Sequence, residues 1–372
     1  MKKYRKTYVA MRAMLSLATV IALFACTKDG DTIYQYDPAE PKASSAPLVT
    51  VIYNADALGD RSYNDLIYQG VEKTAREHGL RTMQMSPTSY EEGLANLLTM
   101  FQTVSATKND TVRRLYIVCA AGYDEYIRQN ARLFAENPNA DLLYLETTDP
   151  LPEGCGSTIY LPYYGAMYEA GAVLPVFNMA AAVIGSNPVD VTVAEAIQGF
   201  TDGFLTDYYQ VESEWIDHWE KHLSTVYLAE KAGEGYMVAD TTAFRILKEQ
   251  TEEYWPAVVP ICGGSGSTLA YLVEMYGSAN LMGVDVQNLS LYSSVSAVKH
   301  IDRAVGQCIV QWLSPEGMPK HQVLGLDTGF TEVLVRMVDD YQEEEYNKYI
   351  PATLRQQIHE DAIRKEAAYE KK

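Results

Sequence analysis

The chain has 372 residues, enough for two ordinary domains, and its 47% hydrophobic and 21% charged residues suit a globular protein with a sizeable core. The formal net charge is −19, a surface that repels a phosphate backbone and excludes a nucleic-acid-binding role. Tyrosine, at 28 residues against 8 phenylalanines, supplies aromatic surface with a hydroxyl attached, which fits wet clefts as well as cores.

At the amino terminus Lys2, Lys3, Arg5, Lys6 and Arg12 precede an apolar run from Met14 to Phe24 that is too short to span a bilayer as a helix. The run ends in Leu23-Phe24-Ala25-Cys26, which resembles the lipobox of bacterial lipoproteins. The expectation is a signal peptide over 1–25 and a palmitate-type lipid anchor on Cys26, each buried methylene adding about 0.8 kcal/mol of membrane affinity. Residues 26–47, rich in Asp, Gly, Pro, Lys and Ser, read as a flexible tether. Cys119, Cys155, Cys262 and Cys308 show no metal-ligand spacing, so no metal and no cofactor is expected. Cys119 and Cys262 end β-branched runs and read as small buried hydrophobes.

From Leu48 onward short apolar runs alternate with helical periods. Strands are predicted at Leu48–Tyr53, Arg81–Met85, Leu115–Cys119, Leu142–Glu146, Ala181–Gly185, Val226–Leu228, Val258–Cys262 and Leu281–Val284. The first helix carries Tyr63, Leu66, Ile67, Gly70, Val71, Thr74, Ala75 and His78 on one face, with Ser62 and Asp65 resembling a capping box and Gly79 as its stop. Further helices are predicted over Tyr90–Thr103, Asp124–Glu136, Val193–Tyr209, Thr242–Glu252 and Thr268–Met275. Such alternation implies parallel sheets covered by helices on both faces, and at this length two doubly wound α/β lobes. Ligands of such folds sit beyond the carboxyl ends of the strands, so the loops at those ends carry the search.

Three loops stand out. Residues 54–64, NADALGDRSYN, deliver Tyr63 and Asn64 at a helix start; a locally packed, capped turn is the alternative. Residues 261–267, ICGGSGS, look like a phosphate loop but lack its Lys, and they miss the dinucleotide and hydrolase-elbow patterns. Backbone N–H groups beside a helix start remain, or a plain tight turn. Asp285 follows the Leu281–Val284 strand, where a carboxylate accepts two hydroxyl bonds at about 1.5–3 kcal/mol each, and Lys299 starts another helix within reach of the same hydroxyls; a surface ion pair is the alternative. His218 and His222 lie four apart on a predicted acidic helix but lack the intervening Glu and a third ligand, and read as a solvated face.

Taken in order, these pieces resemble the basic membrane protein family of PnrA-like purine-nucleoside-binding lipoproteins. The residues that carry the resemblance are Gly59-Asp60-Arg61-Ser62-Tyr63-Asn64 with Gly70, Tyr168-Glu169-Ala170-Gly171 and Gly199-Phe200-Thr201-Asp202-Gly203. Gly263–Gly266, Gly283-Val284-Asp285, the Ser-x-x-Lys ending at Lys299, and Gly325-Leu326 follow in the family's order, so the match spans roughly 48–330. It implies a type I periplasmic-binding fold, with lobes joined by a hinge of three crossovers. The expected lobes are 48–163 with 294–320, and 164–293 with 321–372.

The resemblance also implies site roles. Tyr63 stands against the purine, Tyr236 (with Val238 competing for the position) is its second aromatic, Asp285 and Lys299 grip ribose hydroxyls, and Gly264 lends backbone near the sugar. Asp60 and Asn64 belong to the same binding loop. Asn54 replaces the family's usual base-reading Asp, offering a donor and an acceptor where Asp only accepts. The function so implied is a lipid-anchored, monomeric substrate-binding protein of the cell envelope, feeding a purine nucleoside to an ABC-type permease without chemistry. A sensory binding protein for another ligand such as a sugar, and a nucleoside-processing enzyme, are the alternatives.

Overall fold

The computed structural model describes residues 45–55, 57–119, 122–209, 221–252, 255–277, 279–286, 293–337 and 340–369. The expected signal peptide, Cys26, most of the expected tether and His218 lie outside the described residues.

The first sheet is built from β1 (Leu48–Ile52), β2 (Arg81–Met85), β3 (Arg114–Val118), β4 (Ala140–Leu145) and β5 (Ser157–Tyr160). Its helices are α1 (Tyr63–Glu77), α2 (Tyr90–Ala106), α3 (Asp124–Asn130) and α4 (Arg132–Ala135). The strand β1 reads LVTVI and is almost wholly buried, as a parallel strand covered on both faces must be. Opposite faces of this sheet carry two cores: Val49, Val51, Ile67, Val71 and Trp312 in one, and Ile52, Leu97, Phe101, Val118 and Phe134 in the other.

The chain then passes through α5 (Tyr164–Val173) into a second sheet. This comprises β6 (Ala180–Gly185), α6 (Val191–Leu205), β7 (His222–Tyr227), α7 (Asp240–Gln250), β8 (Ala257–Ile261), α8 (Gly264–Tyr276) and β9 (Asn280–Leu281). A break at Met282 separates β9 from β10 (Gly283–Asp285), which pairs in parallel with β11 (Val295–Lys299). The remaining elements are α9 (Ile301–Leu313), β12 (His321–Val323), β13 (Thr331–Val335), α10 (Asp340–Tyr349) and α11 (Ala352–Tyr369). Strand orders are β12-β5-β4-β3-β1-β2, β7-β6-β8-β9 and β10-β11-β13, parallel throughout except for β11 with β13. This is the expected α/β architecture of two doubly wound lobes, and the chain crosses between them near residues 161–164, 299–301 and 324–330.

Several local expectations differ. β12 pairs with β5, so residues 321–323 belong to the first lobe rather than the second. β11 packs Val295 and Ala297 into the second lobe's core, so the lobe boundary falls after it rather than at 294. Lys299 closes that strand instead of opening a helix, and His222 opens β7 rather than lying on a helix. β5 also forms where the sequence predicts no strand. In each case pairing between distant segments overrides the local pattern.

Two glycine motifs are explained by packing. α5 crosses α6 so closely that a Cβ on Gly171 or Gly203 would collide with the backbone of Phe200 or Tyr168. The crossovers themselves are fastened by buried carboxylates. Glu195 accepts the N–H groups of Tyr163 (3.0 Å) and Tyr164 (3.1 Å) and the hydroxyl of Tyr160. Glu366, from α11, accepts the N–H groups of Gly165 (2.7 Å) and Leu326 (2.9 Å), one from each of two crossovers.

Candidate functional site

A cleft of about 500 Å³ opens where the carboxyl ends of both main sheets face each other. All eight residues expected from the sequence line it: Asn54, Asp60, Tyr63, Asn64, Tyr236, Gly264, Asp285 and Lys299. Their individual geometries divide them into groups that build the cleft and groups that face into it.

Asp60 builds. Its Oδ1 accepts the N–H groups of Ser62 (2.8 Å) and Asp65 (3.2 Å), and its Oδ2 accepts the N–H (3.0 Å) and Nδ2 (2.9 Å) of Asn64. It is therefore the cap of α1, and the Ser62–Asp65 capping box does not form. Burial raises the Asp60 carboxyl above its ordinary range in spite of those four bonds. The Asp65 carboxylate instead holds the N–H groups of Gly59 (2.8 Å) and Arg61 (2.9 Å). Ser62, freed from capping, donates its hydroxyl to Asp285 Oδ2 across the cleft at 3.1 Å.

Asp285 ends β10 with φ +65, a conformation rare for a non-glycine residue and common at functional sites. Its N–H donates to the Tyr163 hydroxyl (2.9 Å), which in turn donates to the carbonyl of Ala297 (2.6 Å). Burial raises its carboxyl, opposed by the nearby Lys299 ammonium. Among the described residues its side chain accepts one hydrogen bond, from Ser62, so further lone pairs remain for hydroxyl donors.

Lys299 is 4% exposed and donates to Glu146 Oε1 at 2.9 Å. Burial alone would lower its pKa, but Glu146 and Asp285 outweigh burial and hold it above the ordinary value. Its Nζ lies 4.9 Å from the Tyr163 ring centre and 5.8 Å from that of Tyr63, within cation–π range. The Tyr63 hydroxyl is buried near Glu146 but makes no well-aligned hydrogen bond among the described residues, and burial pushes its pKa well up.

On the far wall Tyr236 donates its hydroxyl to Asp190 Oδ2 (2.9 Å), which also accepts from Asn187 (2.7 Å) and the N–H of Gly233 (3.0 Å). Val238, its competitor in the sequence, packs instead against the core of α7 and α8. Gly263 caps α8 at φ +53, and a Cβ on Gly264 would come within 3.1 Å of the Asp60 Cβ, so the first lobe's loop rests directly on this glycine. The Ser267 hydroxyl joins the two by donating to the Asp60 carbonyl (2.8 Å). Two N–H groups of this loop are already used, Ser265 to the Tyr236 carbonyl (2.8 Å) and Gly266 to that of Gly263 (2.8 Å). The loop is thus less open to a ligand than its sequence implies.

Asn54, at the end of β1, has its Oδ1 buried without a partner among the described residues. Cys119 and Cys262 are buried beside the cleft as expected, and burial pushes both thiols up. Sequence reading missed Glu146, Tyr163 and the stacked pair Tyr90 and Tyr123 (4.7 Å between ring centres, 11° between planes), all of which line the cleft. None sits in a recognisable motif; the only signal was their position just after strand ends.

No family model matches the chain, and no curated protein matches its sequence. Solved structures do resemble it. An ABC transporter solute-binding protein from Aeropyrum pernix K1 superposes with a TM-score of 0.62 at 14% identity, over 87% of this chain and 86% of that one. Another from Conexibacter woesei DSM 14684 gives 0.59 at 12% identity, over 87% and 97%. A transcriptional activator of the comK gene from Bacillus halodurans gives 0.58 at 14%, over 81% and 95%. At such identities the likeness establishes the fold, which is of the type I periplasmic-binding kind.

Proposed function

We propose that this chain is a lipid-anchored solute-binding protein of the cell envelope, which captures a small uncharged polar ligand, a purine nucleoside, and hands it unchanged to an ABC-type permease. The observation that carries this reading is the meeting of Asp285 with Tyr63 and Tyr236 in one cleft between the lobes. A nucleoside has a flat base and a sugar with adjacent hydroxyls. A stacked aromatic contributes about 1–3 kcal/mol per base, and a carboxylate with free lone pairs takes the hydroxyls. The apolar run ending in Leu23-Phe24-Ala25-Cys26 and the charge of −19 favour an anchored envelope protein over a DNA-binding regulator of the same fold.

One assigned role shifts. Lys299 is engaged by Glu146, so its part in gripping the sugar is secondary to that of Asp285. Native mass spectrometry of gently purified protein, followed by titration calorimetry with adenosine, guanosine and inosine, tests the reading. Micromolar or tighter binding of at least one nucleoside, recovered intact after incubation, is expected. Tight binding of an unrelated molecule with no nucleoside bound, or release of free base, contradicts it.

A further inference from the structure

We propose that Glu146 is a specificity-determining residue that makes the cleft reject phosphorylated ligands; the inference rests on the ligand-binding reading above and deepens it. Glu146 follows β4, and its backbone lies at φ +57, where a residue with a Cβ is disfavoured. Such strain persists only where the surroundings impose it, and it concentrates at functional sites. Here the Leu161 N–H donates to Oε2 at 3.3 Å while Oε1 meets the Lys299 ammonium at 2.9 Å.

Lys299 is the single cation among the described residues lining the cleft, whereas Asp60, Glu146, Glu234 and Asp285 bring carboxylates. A buried lysine beside a ligand site is an ordinary way to bind phosphate as a point charge. Glu146 removes that option twice over. It occupies the ammonium directly, and its own charge, added to that of Asp285, leaves the neighbourhood of Lys299 net negative. In a partly desolvated cleft, like charges a few ångströms apart repel far more than in water. A neutral sugar meets no such penalty, since its hydroxyls donate to Asp285.

The test uses matched pairs that differ by one phosphate: adenosine and adenosine 5′-monophosphate, inosine and its monophosphate, ribose and ribose 5-phosphate. Calorimetry on the native protein is expected to show the neutral member bound at least about 100-fold more tightly. In Glu146→Gln that ratio should narrow by about tenfold or more, through stronger binding of the phosphate ester rather than loss of the neutral one. The double variant Glu146→Gln/Lys299→Gln should lose the gained phosphate affinity. Glu146→Asn, which tolerates the left-handed backbone, repeats the experiment should Glu146→Gln fold poorly. An unchanged ratio in both single variants, with the neutral ligand still bound, overturns this inference alone. Failure of the native protein to bind any neutral member overturns the functional reading and this one together.

Discussion

The cleft and the crossover region beneath it hold the same kind of residue in opposite circumstances. Glu195 and Glu366 are 1% and 4% exposed, and their oxygens are claimed by N–H groups of the segments that pass between the lobes and, in Glu195, by the Tyr160 hydroxyl as well. Asp285 is half-buried, and among the described residues its side chain receives one hydroxyl, while the rest of its acceptor capacity faces the cleft. The difference teaches that burial of a carboxylate does not mark a site; the number of its lone pairs already claimed does. Carboxylates whose oxygens are claimed hold the frame, and Asp285 keeps acceptor capacity open to the cleft.

The largest expected effect comes from breaking the frame. Glu366→Ala strips partners from two buried N–H groups, each costing about 1–3 kcal/mol when left unmade. The total should be about 2–6 kcal/mol in urea-unfolding free energy. Asp285→Ala should by contrast leave stability within about 1 kcal/mol, because the side chain it removes is half-buried and has one hydrogen-bond donor among the described residues. Equal stability losses in the two variants would erase the distinction between them.

Next is the pH dependence of the frame. Burial raises the Glu195 carboxyl above its ordinary value of 4.5, although the Tyr160 hydroxyl, Lys299 and the N–H groups of Tyr163 and Tyr164 oppose the shift. A raised folded-state pKa means the native protein holds this proton more tightly than the unfolded chain. Its contribution to stability is therefore full below about pH 4.5 and lost as pH rises through the folded-state value. The unfolding free energy of Glu195→Gln relative to the native protein should accordingly improve with rising pH from about 4.5 towards 7. A flat or falling difference across urea titrations at several pH values would contradict the assignment.

How much of this was legible in the sequence follows the same division. The strand at Arg81–Met85 has the expected bounds, and the cleft residues were found because they follow strand ends in an ordered set of motifs. Saturation was not legible. Asp60 and Ser62 sit two residues apart in one polar loop, and nothing local says that Asp60 caps the helix while Ser62 reaches Asp285. Glu146 was hidden because its left-handed backbone is imposed by neighbours, whereas sequence advertises that conformation only through glycine. β12 was misplaced because its partner β5 lies far back along the chain, and β11 because its antiparallel partner β13 follows only after α9 and β12; periodicity carries no information about pairing.

The smallest expected effect concerns Tyr63. Its hydroxyl is buried without a well-aligned partner among the described residues, so Tyr63→Phe removes a polar group that gains little from its surroundings. Stability and nucleoside affinity should both change by about 0.5 kcal/mol or less, while Tyr63→Ala, which deletes the ring, should cost about 1–3 kcal/mol of affinity. A Phe variant as weak as the Ala variant in calorimetry would show that the hydroxyl, not the ring, makes the contact.

The central claim is that Asp285 is the open carboxylate that takes the ligand's hydroxyls, and one calorimetric comparison tests it most directly. Adenosine and 2′-deoxyadenosine are titrated into the native protein and into Asp285→Ala. The native protein should prefer adenosine, and Asp285→Ala should lose about 1.5–3 kcal/mol of adenosine affinity together with most of that preference. Adenosine binding by Asp285→Ala with native affinity and native preference would place the hydroxyl contacts elsewhere and contradict the account.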